Sequence, residues 1–124
     1  MRKDKRQNEN DIIKQMDNYL SGYQTNRKLL RLERYEREFF HPNEADFEAF
    51  GEAPLARARM FEIRHFIMGI NNCDEKLMLY YHYIKGESVE RCAELLGISR
   101  STAFRMRRRA LLMAWEKKFP DAES

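Results

Sequence analysis

The chain has 124 residues, of which 35% are charged and 43% hydrophobic, with a formal net charge of +3. That length suits one modest domain and excludes two independent cores of usual size, and the hydrophobic content excludes a disordered chain. The charge is unevenly spread: Ser99 to Lys118 holds seven basic residues against Glu116 alone, whereas Glu36 to Pro54 holds six acidic residues against Arg37.

The opening "MRKDKR" is a small basic cluster with no apolar run behind it. It reads as neither a signal peptide nor a membrane anchor, but as a free or phosphate-touching tail. From Asn10 to Tyr23 the apolar residues Ile12, Ile13, Met16, Tyr19, Leu20 and Tyr23 recur at helical steps, with Asn10 or Asp11 as the cap. The pattern resumes in "RKLLRLERYEREFF", residues 27 to 40, and Gly22 leaves open whether residues 10–40 form one helix or two. The division expected is therefore an N-terminal helical region over 1–40, an acidic connection over 41–54, a helical module over 55–118 and a tail over 119–124. Pro42, Gly51 and Pro54 bracket the connection, and Phe47 and Phe50 are placed to tuck back onto the protein.

Ala56, Met60, Ile63, Ile67 and Ile70 form a narrow seam at steps of four and three, whose natural mate is the N-terminal helix. Asn72 and Glu75 then have the spacing of a capping box, and Gly86 is the expected stop of that helix. Ser88 caps "VERCAELL", which ends at Gly97, and Ser99 caps a last helix that runs toward Pro120. No segment alternates as a strand does. The expected fold class is all-α.

The last two helices, joined by "LGIS", have the residue types of a helix-turn-helix over 88–113: Ala93 for close approach, Gly97 for the turn, Ile98 after it, then Ala103 and Met106 facing inward. Projected at about 100° per residue, Ala103, Met106, Ala110, Met113 and Ala114 share one arc. Ser101, Arg105, Arg108 and Leu112 lie opposite, with Arg100, Phe104 and Arg109 at the margins. Arginine forks fit guanine edges and phosphates alike, and the start of such a helix is the part that enters the major groove. Arg100, Ser101, Phe104 and Arg105 are the expected base contacts, with Thr102, Arg107, Arg108 and Arg109 at phosphates. An arginine-rich helix alone more often marks a solvated face; the turn signature and the caps around it favour duplex DNA as the partner.

"LYYHYIKGESVERCAELLGISRSTAFRMRRRAL", residues 79 to 111, resembles region four of bacterial sigma factors and the C-terminal domains of phage late-gene regulators of the ArpU and RinA type. The Tyr-Ile-x-Gly-x-Ser lead, the Ala-Glu-Leu-Leu-Gly-Ile-Ser core and the Arg-Ala-Leu exit carry the match. The resemblance implies a DNA-binding transcription activator acting on phage late or packaging genes, with the reading helix contacting DNA through Arg100, Ser101, Phe104 and Arg105. Phe104 stands where a polar residue is common and Ser101 where glutamate is usual, so the family's base preference does not transfer. An alternative use of the same module is a sigma-like adaptor docked on RNA polymerase or another phage protein.

Cys92 falls at a buried aliphatic position of the pattern. Cys73 and Cys92 are expected as reduced thiols, and with His82 nine and ten residues away they match no compact zinc spacing. No cofactor is expected. The tyrosines of "LYYHYIK" are expected to line a helix interface with their hydroxyls at its wet edge. His41, His65 and His82 adjoin no nucleophile or carboxylate pair, so catalysis is not expected. "ALLMAW", residues 110 to 115, is apolar nearly all round. Leu112 and Trp115 must be covered by the N-terminal helices or by a second copy, and a homodimer is the favoured arrangement. The absence of a long apolar run predicts a cytoplasmic protein, in a bacterial host cell if phage-encoded.

Overall fold

The computed structural model describes residues 2–40 and 52–120. Five α-helices run in the order α1 (Arg2–Phe40), α2 (Glu52–Met68), α3 (Cys73–Leu79), α4 (Val89–Leu96) and α5 (Arg100–Lys118), and one π-helical turn, Tyr80–Ile84, extends α3. There is no strand among the described residues, and the fold is all-α with a long N-terminal helix.

α1 is continuous through Gly22 and, at 39 residues, extends over about 58 Å. It starts eight or more residues before the expected caps Asn10 and Asp11, which lie inside it. Gly22 does not break the helix; it admits α2, since a β-carbon there would stand 3.3 Å from Ile63 Cδ1. α2 packs on α1 antiparallel: Tyr19 meets Phe66 edge to face at 6.0 Å, and further along Asn26 shares a cleft with Arg59. Ala56, Ile63, Ile67 and Ile70 of the expected seam are buried, and Met60 is half-buried. α2 opens three residues before the expected module boundary, because Pro54 sits in its first turn, where the missing N–H costs nothing. Phe47 and Phe50 lie outside the described residues.

The core has two parts. The larger joins Met16 and Leu20 of α1, Ile63, Ile67 and Ile70, Leu79, Tyr83 and Ile84, and Ala110, Leu111 and Ala114 of α5, with Ile13, Phe66 and Trp115 packed against it. The smaller lies under the α4–α5 turn and joins Met78, Val89, Cys92, Ala93 and Ala103, flanked by Leu96, Ile98 and Met106. The local stops fall where the sequence places them. Asn72 accepts a 3.1 Å bond from the Glu75 amide, Ser88 from the Arg91 amide and Ser99 from the Thr102 amide, while Gly86 and Gly97 take φ of +73° and +69°. Only half of the capping box at Asn72 forms, because the Glu75 side chain turns toward α5 instead.

α5 departs from its projected orientation. Leu111 is fully buried and Met113 is 44% exposed, the reverse of the expectation that Met113 faces the core. The projection assumed one packing partner, whereas α5 is covered by α3 and α4 on one side and by α1 on another. α1 also supplies the cover expected for "ALLMAW": Trp115 joins the core that Ile13, Met16 and Leu20 build. Trp115 therefore needs no second copy.

Candidate nucleic-acid interface

The α4–α5 unit is built from short-range rules. Val89, Cys92 and Ala93 turn the apolar side of α4 onto Ala103 and Met78, and the small side chains of Ala93 and Ala103 let the helices approach. Gly97 ends α4 in the left-handed region, and its amide and that of Ile98 close onto Glu94 and Ala93 carbonyls. Nothing lies within 4 Å of the position a Gly97 β-carbon would take, so the glycine answers a backbone demand rather than a steric one. Burial raises the pKa of the Cys92 thiol, a small apolar filler, whereas Cys73 is exposed.

At the start of α5, Arg100, Ser101, Phe104 and Arg105 are all exposed. The Ser99 hydroxyl donates 2.8 Å to Thr102 Oγ1, and Arg105 donates to the same oxygen at 3.3 Å, which holds the Arg105 stem along the first turn. Thr102 is thus half-buried and occupied within the cap. Arg100 stacks over the Phe104 ring at 5.7 Å and lies 3.3 Å from Glu90 Oε1 of α4. These four side chains form one outward patch on a helix start whose backbone is fixed from behind by Ala103.

The three arginines further along are each matched to a carboxylate. Arg107 is only 24% exposed and donates 2.8 Å to Asp17 Oδ1 of α1 and 3.2 Å to the Tyr83 hydroxyl. Arg108 reaches Glu9 and Asn10, also on α1, at 3.2 and 3.1 Å. Arg109 Nε is 3.5 Å from Glu75 Oε1, yet its side chain is 63% exposed. Of the residues expected at phosphates, then, Arg108 and Arg109 lie on the surface with shared loyalties, and Arg107 points inward to α1.

Sequence reasoning missed this linkage. At about 100° per residue, Arg107 projects about 40° from Ala103, between it and Leu111, on the side that becomes buried. Its partner Asp17 adjoins the buried Met16. Gln24 was missed too: its amide donates to the Tyr83 and Ile84 carbonyls at 3.2 and 2.8 Å, capping groups that the π-turn leaves open. Neither partner is visible from local spacing, because each acts across more than fifty residues of chain.

Tyr83 has its pKa pushed above the ordinary phenol range, first by burial and then by the bond it donates to Asp17. It is buried, not at a wet edge as expected. The pKa of Tyr19 is pushed up to about 12 by burial and by its 3.0 Å bond to Glu62. Glu75 is buried with Oε2 unpartnered, and burial raises its carboxyl pKa while Arg109 offsets the effect in part. Among the described residues no group of three or more His, Cys, Asp or Glu side chains is arranged to hold a metal, and no helix is long and apolar enough to cross a membrane.

No curated protein and no solved structure matches the chain. The family described as "Protein of unknown function (DUF1492)" matches residues 45–114, a span that contains α2, α3, the π-turn, α4 and most of α5. With more than half of its length inside that match, the chain belongs to the DUF1492 family.

Proposed function

We propose that the protein is a sequence-specific DNA-binding transcriptional regulator whose α4–α5 helix-turn-helix lays the start of α5 in the major groove. The observation that carries this reading is the outward patch of Arg100, Ser101, Phe104 and Arg105 on a helix start held rigid by the Ser99 cap and the Ala103 contact. In this reading Arg100 and Arg105 present forked donors to base edges, and Phe104 meets thymine methyls. Arg108 and Arg109 exchange their carboxylates for phosphates when DNA arrives, which adds salt dependence. Thr102 backs the Arg105 stem and Arg107 secures the reading helix to α1. The resemblance of residues 79–111 to sigma region four and to ArpU- and RinA-type regulators makes a phage late-gene activator the specific form we favour, acting in the host cytoplasm.

The adaptor reading draws on one observation: Arg107, Arg108 and Arg109 are already matched to Asp17, Glu9 and Glu75, which lowers the net positive charge offered to a duplex. Selection of bound fragments from the native genome, followed by gel shifts with an Arg100→Ala, Arg105→Ala double variant, tests the first reading. Specific sites that the double variant binds as tightly as wild type would sink it. Capture of RNA polymerase with no selected DNA fragment would favour the adaptor.

A further inference from the structure

The C-terminal half of α1 carries an apolar stripe that no described residue covers. Leu29, Leu32, Tyr35 and Phe39 are 41, 63, 55 and 65% exposed, and the Tyr35 and Phe39 rings meet at a tilt, with centroids 4.6 Å apart. The other side of this stretch, at Asn26, is where α2 packs. Thr25, Leu29, Leu32, Glu36 and Phe39 follow one another at steps of four, three, four and three, the spacing of a seam between paired helices. Lone exposed apolar residues are ordinary, but four on one stripe mark an interaction surface.

We propose that this stripe is the contact between two copies of the chain, with their α1 helices antiparallel about Leu32. The charges beside the stripe argue for a second copy over an unrelated partner. Lys28 and Glu36 stand four residues either side of Leu32, both exposed, and neither has an ion-pair partner among the described residues. A two-fold axis at Leu32 sets Leu32 against its own copy. It also brings Lys28 of each protomer beside Tyr35 and Glu36 of the other, so the same cation-to-carboxylate match forms twice. That self-complementarity is the mark of an isologous interface. A parallel pairing would instead set Glu36 against Glu36 within the seam. The contact is short, about four helical turns per copy, so the dimer is expected to dissociate on dilution. Its location, away from the Trp115 region, leaves both α5 helices uncovered. This inference stands without the DNA-binding reading.

Sedimentation equilibrium of the full chain at micromolar concentrations tests it. Wild type is expected to dimerise and Leu32→Glu to stay monomeric, with a melting curve that matches that of wild type diluted to its monomer. Lys28→Glu and Glu36→Lys are each expected to weaken the dimer about fivefold, and the double swap to restore it. A wild-type chain that stays monomeric at every concentration reached, or a Leu32→Glu chain that still dimerises, overturns the proposal. A double swap no tighter than either single variant overturns the antiparallel register.

Discussion

The Tyr83 hydroxyl donates a 2.6 Å hydrogen bond to Asp17 Oδ1, and the Arg107 guanidinium closes the triangle from α5. Three segments far apart in sequence are thereby locked at one polar point inside an otherwise apolar contact. Removing Arg107 leaves the half-buried Asp17 carboxylate with the Tyr83 hydroxyl but without its counter-charge, which costs more than an exposed ion pair returns. Arg107→Ala is therefore expected to lower stability by about 1–2 kcal/mol and to drop Tm by roughly 5–10 °C. Arg108→Ala, which breaks a half-exposed pair with Glu9 and an exposed hydrogen bond to Asn10, is expected to stay within about 0.5 kcal/mol. Thermal and urea melts of the two variants check this. Equal melts, with Arg107→Ala losing DNA affinity as Arg108→Ala does, would return Arg107 to the role of a phosphate anchor.

The outward patch on α5 gives the complementary prediction. Among the described residues, Arg105 donates to the Thr102 hydroxyl, and Arg100 meets Glu90 and the Phe104 face. Arg105→Ala is expected to melt like wild type yet lose about 1–3 kcal/mol of binding to a selected site, with little change on unrelated duplex. Arg109→Ala should weaken both alike and reduce the slope of log affinity against log salt by about 1. Fluorescence anisotropy over a salt series separates the two. Arg105→Ala losses of equal size on specific and unrelated DNA would remove base readout from this residue.

These two predictions rest on different kinds of information in the chain. The caps at Asn72, Ser88 and Ser99 and the stops at Gly86 and Gly97 are decided within four residues of themselves, so the sequence displays them and the structure repeats them. The partition of α5 is not local. Whether Leu111 or Met113 is buried depends on where α1 crosses, and the commitment of Arg107 depends on an aspartate ninety residues earlier. The carbonyls at the end of the π-turn Tyr80–Ile84 are likewise capped by a partner, Gln24, that no spacing rule connects to them. Helical periodicity states how many faces a helix has; it does not state how many neighbours will claim them.

Glu75 supplies a pH test. Its carboxylate is buried in a small cleft that Met113 and Lys117 also line, with Oε2 unpartnered and Arg109 3.5 Å from Oε1. Burial raises its folded-state pKa, so the native state holds the proton to higher pH than the unfolded chain does. Stability contributed by this group therefore falls as pH rises from the ordinary carboxylate range through the raised folded value, and the cost persists at neutral pH. Glu75→Gln is expected to stabilise the protein by about 1 kcal/mol at pH 7, with the gain vanishing near about pH 3, where the glutamate is protonated in both states. Paired melts at the two pH values decide it. A less stable Glu75→Gln at pH 7 would mean that the Arg109 contact outweighs the desolvation.

Gly97 sets the joint from which α5 departs. Its φ of +69° lies where a β-carbon crowds the following carbonyl, while the space around it is open. Substitution there should be governed by backbone preference alone, unlike at Gly86, where a β-carbon would meet the Gln24 side chain at 3.4 Å. Gly97→Ala is expected to cost about 1–2 kcal/mol. Gly97→Asn should cost less because asparagine enters the left-handed region more readily, and Gly97→Val more because its branched β-carbon resists it. The order Gly, Asn, Ala, Val in melting temperature is the measurement. If alanine and asparagine proved equal to glycine, the turn would be relaxing into another conformation. The same variants would then bind selected DNA less tightly, since Arg100 and Arg105 are aimed by this turn.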